Sequence, residues 1–309
     1  MLQTPMDVLE QFPIRKTKKQ KQAFRDAVCH YLQDLRYIVT IEKGHFGCRN
    51  VVIGDPEKAR YLITAHYDTP AKLLFSNFIT PCNAAVFGMC KFLQWFSIIM
   101  LSSLIGAAAG LLLGENWISL FCALSLFGTF FLMIWGPPNS RNANDNTSGV
   151  ITLLEIARTM PESQRPKVCF VLFDLEEAGL IGSDSYRNVH KNATDHQLVL
   201  NLDCVGDGDH ILMIPTKQLK KDRKRLTSLY KACGYWGRKS ILVKDSGFSV
   251  YPSDQRSFPY GVGICALHKG KCGLYISKIH TPRDTNLDLT NVNILRAALT
   301  SFISCDAVN

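Results

Sequence analysis

Short polar segments that follow apolar runs hold the residues best suited to chemistry in this chain. In Thr64–Pro70, His66 stands two residues before Asp68, so the histidine could bind a metal while the aspartate orients it. In Asn144–Val150, Asp145 lies in a polar loop that leads into a helical pattern. Taken alone, the first segment is equally typical of a surface histidine and the second of a helix-capping loop.

Three later segments have the same character. The adjacent carboxylates Glu176 and Glu177 follow the apolar run that ends at Phe173, Asp203 closes another apolar run, and His280 lies in a late loop. Burying carboxylates costs free energy unless cations accompany them. Adjacent side chains also diverge, so one glutamate could bind a metal while the other reaches a water molecule. As a set, the segments predict a metal-dependent catalytic site.

The elements that must position these residues alternate between strands and helices. Helical patterns cover residues 15–38, Val150–Arg158 and Lys220–Cys233. Strand-like apolar runs cover Asn50–Ile53, Tyr61–Thr64, Val168–Phe173, Leu198–Leu202, Ile211–Ile214 and Val262–Leu267. This order predicts an α/β fold with a mixed, mostly parallel sheet sandwiched by helices. Open sheets of this kind usually carry their sites at the carboxyl ends of the strands.

The composition argues against several classes of protein. The chain has 309 residues with 47% hydrophobic residues, which excludes a disordered protein, and a net charge of +9. Its 11 cysteines include no CxxC pair, so a disulfide framework or a zinc ribbon is not expected, and reduced thiols suit the cytosol. The basic cluster between Arg15 and Lys21 accompanies no nucleic-acid-binding motif, so no nucleic acid partner is expected. We interpret the cluster as either a solvated helix face or a membrane contact.

Two long apolar runs interrupt this pattern. Phe92–Leu113 and Trp117–Trp135 contain no charged residue, and each reaches the length of about 20 residues that crosses a bilayer. The short polar turn Gly114–Asn116 joins them, and the small residues Gly106–Gly110 would let the two helices approach closely. The alternatives are a pair of buried core helices or an apolar lid.

We predict a transmembrane helical hairpin over residues 81–137, inserted into a discontinuous catalytic domain of residues 1–80 and 138–309. Lys72, Lys91 and Arg141 flank the runs on the domain side, whereas the turn on the far side has no lysine or arginine. The positive-inside rule therefore predicts a catalytic domain on the cytosolic side of the membrane. Because the hairpin leaves the domain between His66 and Asp145, the site should lie beside the lipid bilayer.

The order of the motifs resembles a known enzyme family. HxD, xDNxSG, the EE-GL-GS run, NxD and HTxxD resemble the co-catalytic di-zinc aminopeptidases of peptidase family 28, a family that also contains glutaminyl cyclases and a catalytically inactive receptor. The resemblance covers about Tyr61–Pro70 and Asn142–Thr285. The stretch from Asp68 to Asp145 is longer than this family needs, and the apolar hairpin accounts for the extra length.

The resemblance implies a ligand set for two zinc ions, although sites built from histidine and carboxylate can also hold cobalt or manganese. Asp145 would bridge the ions, His66 and Asp203 would complete one site, and Glu177 and His280 would complete the other. A carboxylate bridge suits the metal spacing of about 3.5–4 Å that two-metal hydrolases use.

The same resemblance implies that Glu176 is the general base and that Asp68 orients His66. It also implies a cis peptide bond between Asp145 and Asn146.

A further segment, Tyr251–Phe258, is similar to a substrate-side S-D-H-x-x-F motif of the family. Asp254, Gln255 and Phe258 are therefore expected to bind substrate, with Gln255 standing where histidine is usual. This departure touches no implied metal ligand, so it bears on substrate preference more than on catalysis.

These expectations together predict a membrane-anchored zinc aminopeptidase that removes N-terminal residues from peptide substrates. Two alternatives remain open: a glutaminyl-cyclase-like acyl transferase, and a non-catalytic membrane receptor or scaffold of the same fold. Scaffolds of this kind usually lose metal ligands, and this sequence retains the complete implied set.

Overall fold

The apolar runs of the sequence form the strands of one mixed sheet in the computed structural model, which describes residues 2–73 and 75–305. The strands are β1 Val39–Lys43, β2 Arg49–Ile53, β3 Tyr61–His66, β4 Val168–Phe173, β5 Leu198–Leu202, β6 His210–Pro215, β7 Gly234–Trp236, β8 Lys239–Val243, β9 Gly261–Gly270 and β10 Gly273–Tyr275. Their order across the sheet is β1-β2-β4-β3-β5-β9-β6-β8-β7, and β10 pairs with β9.

The centre of the sheet is parallel, and its margins are mostly antiparallel. β4, β3, β5 and β9 run in one direction, which directs their carboxyl ends to one edge. Every residue of β3, β4 and β5 is buried, as expected for parallel strands covered on both faces. Because His66 pairs with Phe173, the loops after β3 and β4 start side by side. The predicted fold class is confirmed.

Helices flank this sheet, and their bounds follow from caps and apolar faces. They are α1 Asp7–Gln11, α2 Lys18–Asp34, α3 Ala84–Leu113, α4 Ile118–Trp135, α5 Gly149–Thr159, α6 Ile181–Val189, α7 Lys191–Thr194, α8 Lys217–Lys221, α9 Arg223–Leu229 and α10 Leu289–Cys305. A capping box between Thr17 and Gln20 starts α2, which is shorter than the predicted span 15–38.

The helix predicted over Lys220–Cys233 is divided in the structure. Asp222 interrupts it, and its side chain accepts a hydrogen bond from the backbone N–H of Arg225, the third residue of α9. An aspartate at this position starts a new helix more readily than it continues an existing one. The predicted helical character of this segment is confirmed, but as two short helices and a final helical turn.

The two apolar runs form an antiparallel pair, α3 and α4, that stands away from the core. None of the described residues of α4 is buried, and α3 buries only Ser102, Gly106 and Ala109. These three lie on one stripe of α3, which is the face toward α4. The alternative of two buried core helices was therefore wrong, because the large apolar side chains of both helices remain exposed.

Glycine produces the close contact between these helices. A Cβ atom at Gly106 would lie 2.1 Å from Cys122 Sγ and 2.9 Å from the carbonyl oxygen of Ile118. At Gly110, a Cβ would lie 2.5 Å from Cγ1 of Ile118. The predicted role of the small residues is confirmed: they let α3 and α4 pack backbone to side chain.

Candidate metal centre

The predicted metal-binding side chains converge at the carboxyl edge of the parallel strands. His66 is the last residue of β3, Glu176 and Glu177 follow β4, and Asp203 follows β5. Asp145 lies in the loop that leads into α5. His280 reaches the same place from the segment before α10.

Their polar atoms form two groups that share one carboxylate. Asp145 Oδ1 lies 3.3 Å from His66 Nε2, which lies 3.7 Å from Asp203 Oδ1. Asp145 Oδ2 lies 3.1 Å from His280 Nε2, which lies 3.5 Å from Glu177 Oε2. Within each group, one candidate ligand atom from each residue lies within 4.8 Å of the others. Asp145 is therefore placed between both histidines, as a bridging ligand requires.

The donor set fits a divalent cation. Asp203 Oδ1 is buried and has no hydrogen-bond partner among the described residues. An unpaired carboxylate oxygen in such a place is costly unless a cation satisfies it. Histidine nitrogen and carboxylate oxygen are ligands that zinc accepts, and both groups hold that mixture.

Electrostatics supports the same assignment. Burial alone would lower the pKa of His280, but Glu177 and Asp145 raise this pKa to about 9. Burial raises the pKa of Glu177 to about 8, and it would also raise the pKa of Asp145, which the two histidines instead hold well below its usual range. The carboxylates thus draw positive charge into the cluster. A metal ion can supply that charge in place of the protons on the histidines.

Asp68 connects the first histidine to both glutamates. Its Oδ1 lies 3.5 Å from His66 Nδ1 and accepts a hydrogen bond of 3.1 Å from the backbone N–H of Glu176. Its Oδ2 accepts a hydrogen bond of 3.2 Å from the backbone N–H of Glu177. The sequence indicated only that Asp68 orients His66. In the structure Asp68 also fixes the backbone that carries Glu176 and Glu177.

The Glu176 side chain faces the same space from the side of His66. One of its oxygens belongs to a further group of potential ligand atoms with His66 and Glu177. Burial raises the pKa of Glu176 well above its usual range, an effect that the charge of His66 opposes and that of Glu177 reinforces. A carboxylate in this position can exchange protons with a molecule bound at the cluster.

Asp284 holds the loop that carries Asp145. Its two oxygens accept hydrogen bonds from the backbone N–H groups of Asn144, at 2.8 Å, and Asp145, at 3.0 Å. The peptide bond between Asp145 and Asn146 is cis, as the resemblance implies. Sequence reasoning did not assign this role to Asp284, although the HTxxD spacing contains it.

Arg15 is a second residue beside the cluster whose position sequence reasoning did not reveal. Its side chain is fully buried, donating hydrogen bonds to the carbonyl oxygen of Tyr67 and to Thr147 Oγ1. Burial lowers the pKa of Arg15 to about 10, and the carboxylates Asp68 and Asp145 oppose this effect. Arg15 therefore stays positively charged at neutral pH directly behind the cluster.

This burial corrects the interpretation of the basic N-terminal cluster. Arg15 is buried, and so is Lys21, whose ammonium forms an ion pair with Asp174. Neither side chain can contribute to a solvated helix face or contact lipid, because both compensate interior carboxylates and carbonyls. Lys18 and Lys19 are exposed.

The expected substrate segment lies in the wall behind the cluster. Asp254, Gln255 and Phe258 are buried, and Phe258 stacks on Phe173 with ring centroids 6.0 Å apart. A cavity of about 190 Å³ over the cluster is lined from this segment by Tyr251 and Pro252 instead. Of the three predicted residues, Gln255 and Phe258 line a second cavity of about 570 Å³, and Asp254 lines neither cavity. Their binding of substrate stays a prediction.

Comparison with solved structures shows the fold alone, because identities are low. An aminopeptidase, LapA of Legionella pneumophila, aligns with a TM-score of 0.58 at 14% identity over 97% of this chain and 68% of its own. A glutaminyl cyclase of Porphyromonas gingivalis aligns with a TM-score of 0.59 at 16% identity over 96% of this chain and 94% of its own. A Zn-dependent exopeptidase of Parabacteroides distasonis aligns with a TM-score of 0.56 at 16% identity over 96% of this chain and 92% of its own.

No curated protein matches the chain. The model of peptidase family M28 matches residues 130–302, which is more than half of the sequence and includes Asp145, Glu176, Glu177, Asp203 and His280. The two potential metal groups, the α/β sheet that presents them and this match agree, and the chain therefore belongs to peptidase family M28.

Proposed function

We propose that the protein is a zinc-dependent aminopeptidase that binds two zinc ions. The observation that carries this proposal is the position of Asp145, with one carboxylate oxygen 3.3 Å from His66 Nε2 and the other 3.1 Å from His280 Nε2. Two histidines and three carboxylates offer a formal charge of −3 to two divalent cations. His66 and Asp203 would hold one ion, and Glu177 and His280 the other.

Zinc ions bound there would supply Lewis acidity to water and to a peptide carbonyl. Glu176 accepts a proton at its carboxylate while the water oxygen bonds to the carbonyl carbon. It then delivers that proton to the leaving nitrogen as the C–N bond breaks. Asp68 keeps Glu176 in place through the backbone, and Arg15 balances the negative charge behind the cluster.

The hairpin is proposed to anchor the enzyme in the membrane. Both helices are long and apolar enough to span a bilayer, and their large side chains are exposed. In water this surface would far exceed the apolar patches that soluble monomers normally tolerate. Lys72, Lys91 and Arg141 flank the helices on the domain side, which supports a cytosolic catalytic domain.

The similarity of fold to solved structures supports peptide-bond hydrolysis, and it is also compatible with glutaminyl cyclisation as a second candidate activity. The similar structures include proteins described as an aminopeptidase and a Zn-dependent exopeptidase, and others described as glutaminyl cyclases. The shared carboxylate in two complete ligand groups favours two metals and hydrolysis.

Metal analysis and a substrate panel test the activity. Full-length protein purified in detergent is expected to contain two zinc ions and to release arylamine from aminoacyl-arylamides. An N-terminal glutaminyl peptide offered in parallel would instead release ammonia if the protein were a cyclase. Two bound zinc ions without turnover of either substrate would identify a scaffold and overturn the proposal.

Thiol labelling tests the topology. A cysteine placed at Glu115, in a chain without other reactive thiols, should react with an impermeant reagent in intact cells, because Glu115 lies in the turn between the helices. A cysteine placed at exposed Lys18 on the domain is the control, and it should react only after permeabilisation. The reverse pattern would overturn the orientation.

A further inference from the structure

A cavity of about 280 Å³ lies between the candidate metal centre and the base of the hairpin. Glu177 and His280 of the metal centre line one end of it. The smaller cavity over the cluster shares these two residues and Asn77 with it. The second cavity therefore adjoins the space beside the proposed reaction centre, on the side of the apolar helices.

The hairpin supplies most of the remaining wall. Four residues of α3 at helical spacing, and two from the last turn of α4, face this cavity: Lys91, Gln94, Trp95, Ile98, Met133 and Ile134. The other three α3 residues lie three, four and seven positions after Lys91, which places all four on one face of the helix. The wall is thus formed by the part of the chain that departs from the family resemblance.

Two polar groups of this wall are already engaged within the protein. Lys91 Nζ donates a hydrogen bond of 2.8 Å to Asn77 Oδ1. Lys16 Nζ donates one of 2.7 Å to the carbonyl oxygen of Ile134, near the end of α4. The apolar part of the lining, from Trp95, Ile98, Met133 and Ile134, is somewhat larger than the polar part. Such an apolar surface favours an apolar group.

The cavity lies at the level where α3 becomes continuously uncharged. Lys91 is the last charged residue before the run that starts at Phe92, and Trp95 follows one turn later with 48% of its surface exposed. Tryptophan concentrates at the boundary between headgroups and hydrocarbon. With the hairpin in a bilayer, the cavity would lie at this boundary and could receive a chain from the hydrocarbon.

We propose that this cavity binds the aliphatic chain of the substrate's N-terminal residue, so that the enzyme prefers peptides with a long alkyl group beside the bond to be cleaved. This inference rests on the proposed function. An engineered cavity of about 150 Å³ holds benzene, so a space of about 280 Å³ is large enough for a longer alkyl chain.

The first test compares two arylamides, one with N-terminal alanine and one with N-terminal 2-aminodecanoic acid. The wild-type protein with zinc should prefer the long chain in kcat/KM by about tenfold or more. Ile98→Trp fills the cavity and should remove this preference. Ile99→Trp is the matched control, because Ile99 is the next residue on α3 and has 53% of its surface exposed; it should keep the preference.

Met133→Ala gives a second, opposite change, because it enlarges the cavity. The chain length with the highest kcat/KM should then increase. A wild-type protein that cleaves both arylamides equally, or an Ile98→Trp variant with an unchanged preference, would overturn the inference while leaving the aminopeptidase proposal intact.

A binding measurement keeps the two proposals distinguishable. A decylamine with a diazirine at the end of its chain should crosslink on irradiation to Ile98 or Met133, and mass spectrometry would locate the adduct. If no arylamide is cleaved, the proposed function fails and this adduct alone decides on the cavity. Crosslinking confined to exposed positions such as Ile99 would overturn the inference.

The source of the chain is tested in vesicles of phosphatidylcholine and phosphatidylglycerol. The reconstituted protein receives a peptide whose N-terminal cysteine carries an S-hexadecyl chain, or a soluble peptide with N-terminal 2-aminodecanoic acid. Cleavage of the hexadecyl peptide supports delivery from the bilayer. Cleavage of the soluble peptide alone would overturn delivery from the bilayer.

Discussion

The metal centre and the hairpin are adjacent in space, yet they are stabilised in different ways. At the metal centre, side chains from distant parts of the sequence meet, and Asp68 and Asp284 each accept two backbone hydrogen bonds that fix a loop. In the hairpin, Gly106 and Gly110 simply allow close packing of neighbouring helices. The first region depends on individual polar atoms, and the second on shape and apolar area.

This difference determines how each region should respond to substitution. A lost oxygen atom at the centre removes a ligand, a proton carrier or a loop anchor, so the effect should appear in activity. A changed volume on the face where α3 and α4 meet should appear in stability. Four substitutions test this division.

The largest effect is expected for Glu176→Gln. The variant keeps the shape of the side chain but cannot accept a proton, so kcat should fall by about 10²–10⁴ while both zinc ions remain bound. Glu177→Gln is the control, since it should reduce metal content as well. Turnover assays with metal analysis measure both. A Glu176→Gln variant with near-normal kcat would show that the roles of the two glutamates are assigned wrongly.

Asp284→Ala should have the next largest effect. It removes the acceptor for the backbone N–H groups of Asn144 and Asp145, and losing such a support typically costs about 10–100-fold in metal affinity or activity. Asp55→Ala is the matched control, because Asp55 also accepts two backbone N–H groups but in an exposed turn. Zinc titration should separate the variants, and equal affinities would contradict the role of Asp284.

Gly106→Leu tests the hairpin. The new side chain would meet Cys122 and the backbone of Ile118, and overpacking of this kind typically costs about 1–3 kcal/mol. Gly128→Leu on α4 is the control, since a Cβ there would meet no atom of the described residues within 4 Å beyond its own stretch of helix. Thermal unfolding in detergent should show a lower midpoint for Gly106→Leu only. Identical midpoints would argue against the close packing.

The smallest effect is the pH dependence of the stability that His190, a residue outside the hairpin, contributes to the protein. Burial would lower the pKa of His190, but ion pairs with Glu57, at 2.7 Å, and Glu42, at 2.9 Å, raise it overall. The stabilisation is therefore complete below the ordinary histidine pKa of about 6.5 and is lost as the pH rises through the higher folded-state value. Partly exposed pairs contribute less than about 1 kcal/mol.

The measurement is the free energy of unfolding of wild type and His190→Gln in urea. Their difference should shrink as the pH rises above about 6.5, because the wild type then loses its ion pairs. The sequence Ala84–Trp135 contains no histidine, so unfolding of the hairpin should not follow this change. A constant difference would contradict the charged state of His190.

The sequence predicted the bounds correctly for two strands in which every residue is buried. β4 and β5 match the predicted runs because buried parallel strands are apolar at every position. β1 and β7 were missed, since they lie at the margins of the sheet and are partly or largely exposed. They are also short, at five and three residues, so neither forms an apolar run of the kind that marks the buried strands.

At the metal centre, residue types revealed the candidate ligands but not their supports. Asp68 was placed correctly beside His66, whereas its bonds to the backbone of Glu176 and Glu177 depend on the pairing of β3 with β4. Arg15 belongs to a basic cluster that is typical of exposed helix faces. Only the folded chain brings its guanidinium against Tyr67 and Thr147.

The length of α3 has a consequence for the orientation of the enzyme. This helix has 30 residues and is about 45 Å long, whereas the hydrocarbon core of a bilayer is about 30 Å thick. With the hairpin in a membrane, the rest of α3 would continue into the domain without a hinge, and Lys16 would bind the end of α4 to the same body. Hairpin and domain would then tumble and tilt together, so the membrane plane would fix the angle at which the active site meets its substrates.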